Sequence, residues 1–175
     1  MKKLIIEKFP RILKNKKRLE EKLEVKINTR GKEIIIDGEP ENEYIAETVI
    51  EALNLGFPLE ITFLIKEEDY IFEIINIKEY TKKKDFVRIR SRIIGTKGKT
   101  LKTLTGLTKC HFEIKDNRVG IIGQPENIKN AQEAIIAFIR GSKHSNVYFY
   151  LEKHQIKSII DLGLKEPKKK RSKTF

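Results

Sequence analysis

The feature that most constrains this chain is a repeat at an offset of 85 residues. Gly38, Glu39, Pro40, Glu41, Asn42 recur as Gly123, Gln124, Pro125, Glu126, Asn127. The correspondence runs on through Ala46 and Ala131, Ile50 and Ile135, Ala52 and Ala137, Leu53 and Phe138, to Gly56 and Gly141. A repeat of this kind means that one supersecondary unit is built twice. Within it the apolar positions fall three or four apart, which predicts amphipathic helices over 42–55 and 126–140, each closed by a glycine suited to a left-handed cap. Ahead of each helix lies a β-prone pair, Val25 to Asn28 with Glu33 to Ile36, then His111 to Ile114 with Val119 to Ile122. Gly31 and the pair Asp116, Asn117 supply the turns between them. Further upstream each copy has another strand, Leu4 to Lys8 or Tyr70 to Ile77, followed by a basic helical segment. The predicted order is therefore strand, helix, helix, strand, strand, helix, twice over.

Aligning the upstream parts changes the offset to 81, and Lys14, Asn15, Lys16, Lys17 then stands where Gly95, Thr96, Lys97, Gly98 stands. The copies share a frame but not that loop. Two glycines flanking Thr96 and Lys97 let a backbone approach a sugar-phosphate chain that β-carbons would hold off.

Charge points to an anionic partner. The 175 residues carry a net charge of +12, and Lys and Arg that neutralise phosphates gain free energy by releasing condensed counterions. The charges are also segregated. Residues 39–76 hold 10 acidic side chains against Lys66 alone, whereas residues 78–102 hold ten basic against Glu79 and Asp85. One surface for nucleic acid and another for something else would account for this, as would solvated helix faces of opposite sign.

The order of elements, with Gly-x-x-Gly between the first two helices, resembles the type I K-homology (KH) domain, which binds about four nucleotides. The resemblance extends to the Partner-of-Nob, or Dim, family of tandem KH proteins, which is Krr-related and acts in small-subunit ribosome assembly. It rests on Arg92 to Thr100 (Arg-Ile-Ile-Gly-Thr-Lys-Gly-Lys-Thr), on Ile121, Ile122, Gly123, and on Gly141 to Tyr148 (Gly-Ser-Lys-His-Ser-Asn-Val-Tyr). The short stretch before the first strand makes the chain look like an archaeal counterpart. The resemblance implies an α+β fold of two tandem βααββα domains, each a three-stranded sheet packed by three helices. Residues 1–65 form a degenerate copy without the glycine pair, 66–151 the copy with it, and 152–175 a C-terminal helix and basic tail. It also implies no catalysis, no cofactor and no metal. The implied role is binding small-subunit ribosomal RNA near its 3′ end with a Nob-type endonuclease as partner. A general single-stranded RNA binder, or an adaptor for the α subunit of initiation factor two, is the alternative.

On this reading the RNA-binding residues are Arg88, Arg90, Arg92, Ile94, Gly95, Thr96, Lys97, Gly98, Lys99, Lys102, His111 and Phe112. Helix N-terminal N–H groups after Gly98 would meet phosphates. Alternation puts Cys110, Phe112 and Ile114 on one strand face and His111 and Glu113 on the other, with packing the first expectation for Phe112 and Ile114. Ile94, Leu101 and Leu104 divide between groove and core.

Other chemistries fit less well. Gly98, Lys99, Thr100 imitates the end of an NTPase phosphate loop, but Ile93 stands where the first glycine is needed. Cys110 and the three histidines form no recognisable nucleophile or ligand set, and a single cysteine excludes an internal disulfide. No apolar run reaches the roughly 20 residues of a membrane span, so a soluble cytoplasmic protein is expected. The tail Pro167 to Lys173 resembles a nuclear import signal, and in an archaeal-type chain it reads as an RNA-contacting extension.

Overall fold

The computed structural model describes residues 2–5, 9–31, 33–67 and 69–155. The first half comprises β1 (Lys2–Ile5), α1 (Phe9–Lys14), α2 (Lys16–Leu23), β2 (Lys26–Arg30), β3 (Glu33–Asp37) and α3 (Pro40–Leu55). After α4 (Leu59–Thr62) and a 3-10 turn (Phe63–Lys66), the order recurs as β4 (Ile71–Asn76), α5 (Phe86–Ile94), α6 (Lys99–Thr108), β5 (His111–Lys115), β6 (Arg118–Gly123) and α7 (Pro125–Arg140). A further helix, α8 (His144–Lys153), follows. Each half forms its own antiparallel three-stranded sheet, in the order β1-β3-β2 and β4-β6-β5. The fold is α+β, and both sheets place the last strand of the half in the centre.

The long helices start slightly earlier than hydrophobic spacing predicts. Pro40 and Pro125 occupy the first turn, where a missing N–H costs nothing. Gly56 and Gly141 close them at φ 140° and 103°. The repeat positions Ala46, Ala131, Ile50 and Ile135 are all fully buried. β1 differs from its expected range of Leu4 to Lys8: it spans Lys2–Ile5 and pairs Leu4 with Ile34. Residues 6–8 and 156–175, including the tail Pro167 to Lys173, lie outside the described residues.

Each half has a separate core, one around Leu19, Ile27, Ile34 and Leu53, the other around Ile93, Leu104, Ile121 and Phe138. A third apolar cluster forms the seam between them. Ala52 and Leu55 of α3 and Phe57 just after it pack on Ile122 of β6, with Phe72 of β4 at the margin. Phe57 and Phe72 meet edge to face, their centroids 6.0 Å apart. Burying Phe57 to 1% exposure is worth roughly 1.5–3 kcal/mol. Lys115 Nζ on β5 donates to the Asn54 carbonyl at 3.2 Å, adding a polar contact beside the apolar ones. Thus the end of α3 covers the outer face of the second sheet, the face opposite its own helices. The linking segment is tied to the first half by Arg18 with Glu60 at 2.8 Å and by Lys66 with Glu24 at 2.7 Å.

Candidate nucleic-acid interface

α5 begins at Asp85, whose Oδ1 accepts the Arg88 N–H, and ends at Gly95, whose N–H donates to Ser91 O. The chain then turns through Thr96, Lys97 and Gly98 into α6. Lys97 (φ 53°, ψ 32°) and Gly98 (φ 73°, ψ 14°) adopt successive left-handed conformations. The two glycines are needed for different reasons. A β-carbon on Gly95 would lie 2.1 Å from Thr100 Oγ1, so Gly95 makes room for the packed first turn of α6. Nothing lies within 4 Å of the β-carbon position on Gly98, so that backbone faces open space.

The side chains around this turn suit a phosphate chain. Thr96, Lys97, Lys99 and Lys102 are exposed, and the three lysines form no ion pair among the described residues. Thr100 and Leu104 of α6 are buried, which orients the helix start toward the turn. Ile94 is 36% exposed and Leu101 half-buried, so the expected division between surface and core holds, with Leu104 wholly in the core. Val87, which sequence reasoning missed, is 65% exposed and shares a stripe with Ser91 and Ile94 along α5. Its signal was the seven-residue spacing from Ile94.

The arginines go elsewhere. Arg90 Nη1 donates to Asp116 O at 2.6 Å, fastening α5 to the turn between β5 and β6. Arg92 Nη2 donates to the carbonyls of Gly141 and Ser142 and fastens α5 to the end of α7. Arg88 lines a cavity between α5 and that same end of α7, on the flank opposite Ile94. The structure therefore gathers Ile94 through Lys99 and Lys102 at one place, sets Arg88 and Arg92 on another side of the helix, and ties Arg90, one turn before Ile94, to the β5–β6 turn.

His111 and Phe112 also part company. Phe112 and Ile114 pack against the core of the second half, as their alternation suggested. His111 pairs with Ile122, whose side chain faces the first half, so the imidazole lies on the seam face of the sheet. Burial there pushes its pKa below 6.5. Cys110 precedes β5 and is fully buried; its Sγ contacts Thr108 O at 3.4 Å and burial raises the thiol to about 11. Among the described residues no cluster of His, Cys, Asp or Glu could hold a metal ion, and no helix is long and apolar enough to cross a membrane.

The corresponding place in the first half is closed. Between α1 and α2 only Asn15 interrupts the helix, at φ −106°, and its Nδ2 donates to Arg11 O at 2.8 Å. No left-handed residue opens the backbone there, although Lys14, Lys17 and Arg18 keep the surface basic.

The chain is similar to known KH-domain proteins. The model of the second KH domain of the PNO1 family, described as a eukaryotic type KH-domain (KH-domain type I), matches residues 71–156. A KH domain-containing protein of Methanocaldococcus jannaschii is 30% identical over 113 residues, 64% of this chain and 50% of that protein. The pre-rRNA-processing protein pno1 of Emericella nidulans is 31% identical over 111 residues, 61% of this chain and 43% of that protein. The chain spans about half the length of these curated relatives. Among solved structures, Dim2p from Pyrococcus horikoshii superposes with a TM-score of 0.81 at 29% identity, covering 87% of this chain and 98% of that one. The protein in the a/eIF2alpha-aDim2p-rRNA complex from the same organism matches with the same TM-score of 0.81 at 29% identity, covering 88% and 93%.

Proposed function

Because this chain belongs to the Pno/Dim-like KH proteins, we propose that it binds single-stranded ribosomal RNA through the Gly95–Gly98 turn during small-subunit maturation. The observation that carries this reading is the left-handed backbone at Lys97 and Gly98, open at the Gly98 β-carbon position, set at the start of α6 beside lysines that form no ion pair among the described residues. A phosphate can approach the Gly98 backbone without meeting a β-carbon, and Lys97 and Lys99 add attraction that salt screens. Ile94 and the exposed stripe above it offer bases an apolar surface.

On this reading the chain is two tandem type I KH domains, 1–65 and 66–151, of which only the second grips RNA. The first serves as a scaffold for the second through the α3 seam. The RNA is the 3′ region of small-subunit ribosomal RNA, the associated activity is a Nob-type endonuclease, and the protein itself is a non-catalytic cytoplasmic binder. A second reading, an adaptor for the α subunit of initiation factor two, is favoured by the composition of the Pyrococcus complex.

Replacing Thr96 and Lys97 together by Asp tests the site. Binding to a 3′-terminal small-subunit RNA fragment should be largely lost with the far-ultraviolet circular dichroism unchanged. Unaltered affinity would sink the site. Co-purification of the wild-type chain with the endonuclease or with the initiation-factor subunit separates the two readings.

A further inference from the structure

The cavity beside Arg88 has no part in the loop just described. It encloses about 200 Å³ between α5 and the C-terminal end of α7, with Ile89 and Phe138 among its apolar walls. Lys83, Arg88 and Arg92 line it against one carboxylate, Asp85. That carboxylate is engaged as the cap of α5, accepting the Arg88 N–H at 3.1 Å. Arg92 is held in place by the carbonyls of Gly141 and Ser142, which accept its hydrogen bonds but leave its charge unneutralised, and its Nε, shielded from solvent, finds no acceptor. An excess of positive charge beside an apolar wall is what an anion would offset, because a partly dry site strengthens the attraction.

We propose that this cavity is a second phosphate site, which takes the backbone of RNA flanking the nucleotides held at the Gly95–Gly98 turn. The inference rests on the reading of that turn as an RNA site. Three features favour a nucleic-acid backbone over an acidic peptide. The cavity opens within the segment 78–102, where ten basic residues stand against two acidic ones. Arg88 precedes Gly95 by seven residues, roughly 10 Å of helix rise, so a strand of a few nucleotides can span both places. Arg88 and Lys83 are exposed, as a backbone that arrives from solvent requires. The site lies on the flank of α5 opposite the Ile94 stripe, so an RNA that uses both must pass around the helix.

The test compares two single-stranded RNAs by fluorescence anisotropy, one of about four nucleotides, the number a KH groove holds, and one of about ten. In the variant carrying Lys83→Gln and Arg88→Gln, affinity for the longer RNA should fall about tenfold, as expected for a lost charge-assisted contact. Its slope of log affinity against log salt should flatten by about 0.7 for each phosphate released. Affinity for the short RNA should stay as in the wild type. Equal losses on both RNAs, no loss on either, or the same loss from Lys129→Gln on α7 would overturn the second site while leaving the turn standing. So would a glutamate-rich peptide whose binding, unlike that of RNA, is abolished by the double variant. Failure of the wild type to bind either RNA would overturn the turn and the cavity together.

Discussion

Gly95 and Thr100 occupy one space: the hydroxyl of Thr100 sits 2.1 Å from where a β-carbon on Gly95 would be. Gly98, three residues on, has the same φ of 73° but no neighbour within 4 Å. Alanine at the two positions should therefore have opposite signatures. Gly95→Ala meets a packed side chain as well as backbone strain and should cost more than about 2 kcal/mol of stability. Gly98→Ala carries only the left-handed penalty, about 1–2 kcal/mol, yet sets a methyl where phosphates would approach. Urea melts followed by RNA titration should show the larger fall in midpoint for Gly95→Ala, and a loss of affinity for folded Gly98→Ala. Undiminished binding by Gly98→Ala would count against an open-backbone mechanism.

Gly120 answers to the first half of the chain. A β-carbon there would fall 2.2 Å from Leu55 Cδ2 and 2.8 Å from Phe57 Cε2, both side chains almost fully buried. Gly120→Val should destabilise the protein by about 1–3 kcal/mol, the usual cost of overpacking. Adding Leu55→Ala should return part of that loss in a double-mutant cycle. Strict additivity would show that the two halves do not share this seam in solution.

His111 should give the seam a pH dependence. Its folded pKa is pushed below the ordinary 6.5 because burial penalises the imidazolium. The unfolded chain therefore binds the proton more readily, and stability rises with pH between the two values. The contribution is complete above pH 6.5 and is lost as pH falls through the lower, folded value. Urea midpoints measured on either side of that window should converge for wild type and His111→Gln at the acid end, relative to their separation near neutrality. A constant separation would place the imidazole in water.

The thiol of Cys110, buried and raised to about 11, should resist a disulfide reagent at pH 8 in the native protein. One equivalent should react once urea unfolds the chain. Rapid native reaction would mean that the start of β5 opens locally.

Much of the architecture was legible because the repeat is a repeat of buried positions. Ala46, Ile50 and Leu53 recur as Ala131, Ile135 and Phe138, and all six are fully buried. The loop was legible for the same reason in reverse, since Gly95 and Gly98 stand where the first copy has Lys14 and Lys17. What stayed hidden depended on partners without a sequence signature. Arg90 and Arg92 read as phosphate ligands in the sequence; that they also hold backbone carbonyls 26 to 50 residues away has no signature there, since any residue supplies one. The run from Leu4 lacks alternation, so the register of β1 is set by its hydrogen bonds to β3 and not by its own pattern. The segment α4 with its 3-10 turn is rich in apolar residues but too short to show a helical period, and it buries Thr62 and Phe63. The expected boundary at residue 65 falls inside that turn.

The contact between the halves joins unlike surfaces, a helix end to a sheet face, and contacts of that kind can in principle run on into fibres. Here both ends of the series are blunted. At the register position of Gly120 the first sheet has Ile35, whose side chain fills the place that a second Leu55 would need. Where α3 and its sequel present Leu55 and Phe57, the second copy has Arg140 and Ser142, and it continues into α8, which packs back on α6 and α7. Substitutions other than those that make the two copies unequal for RNA thus limit the stack to two, a chain that counts its own units.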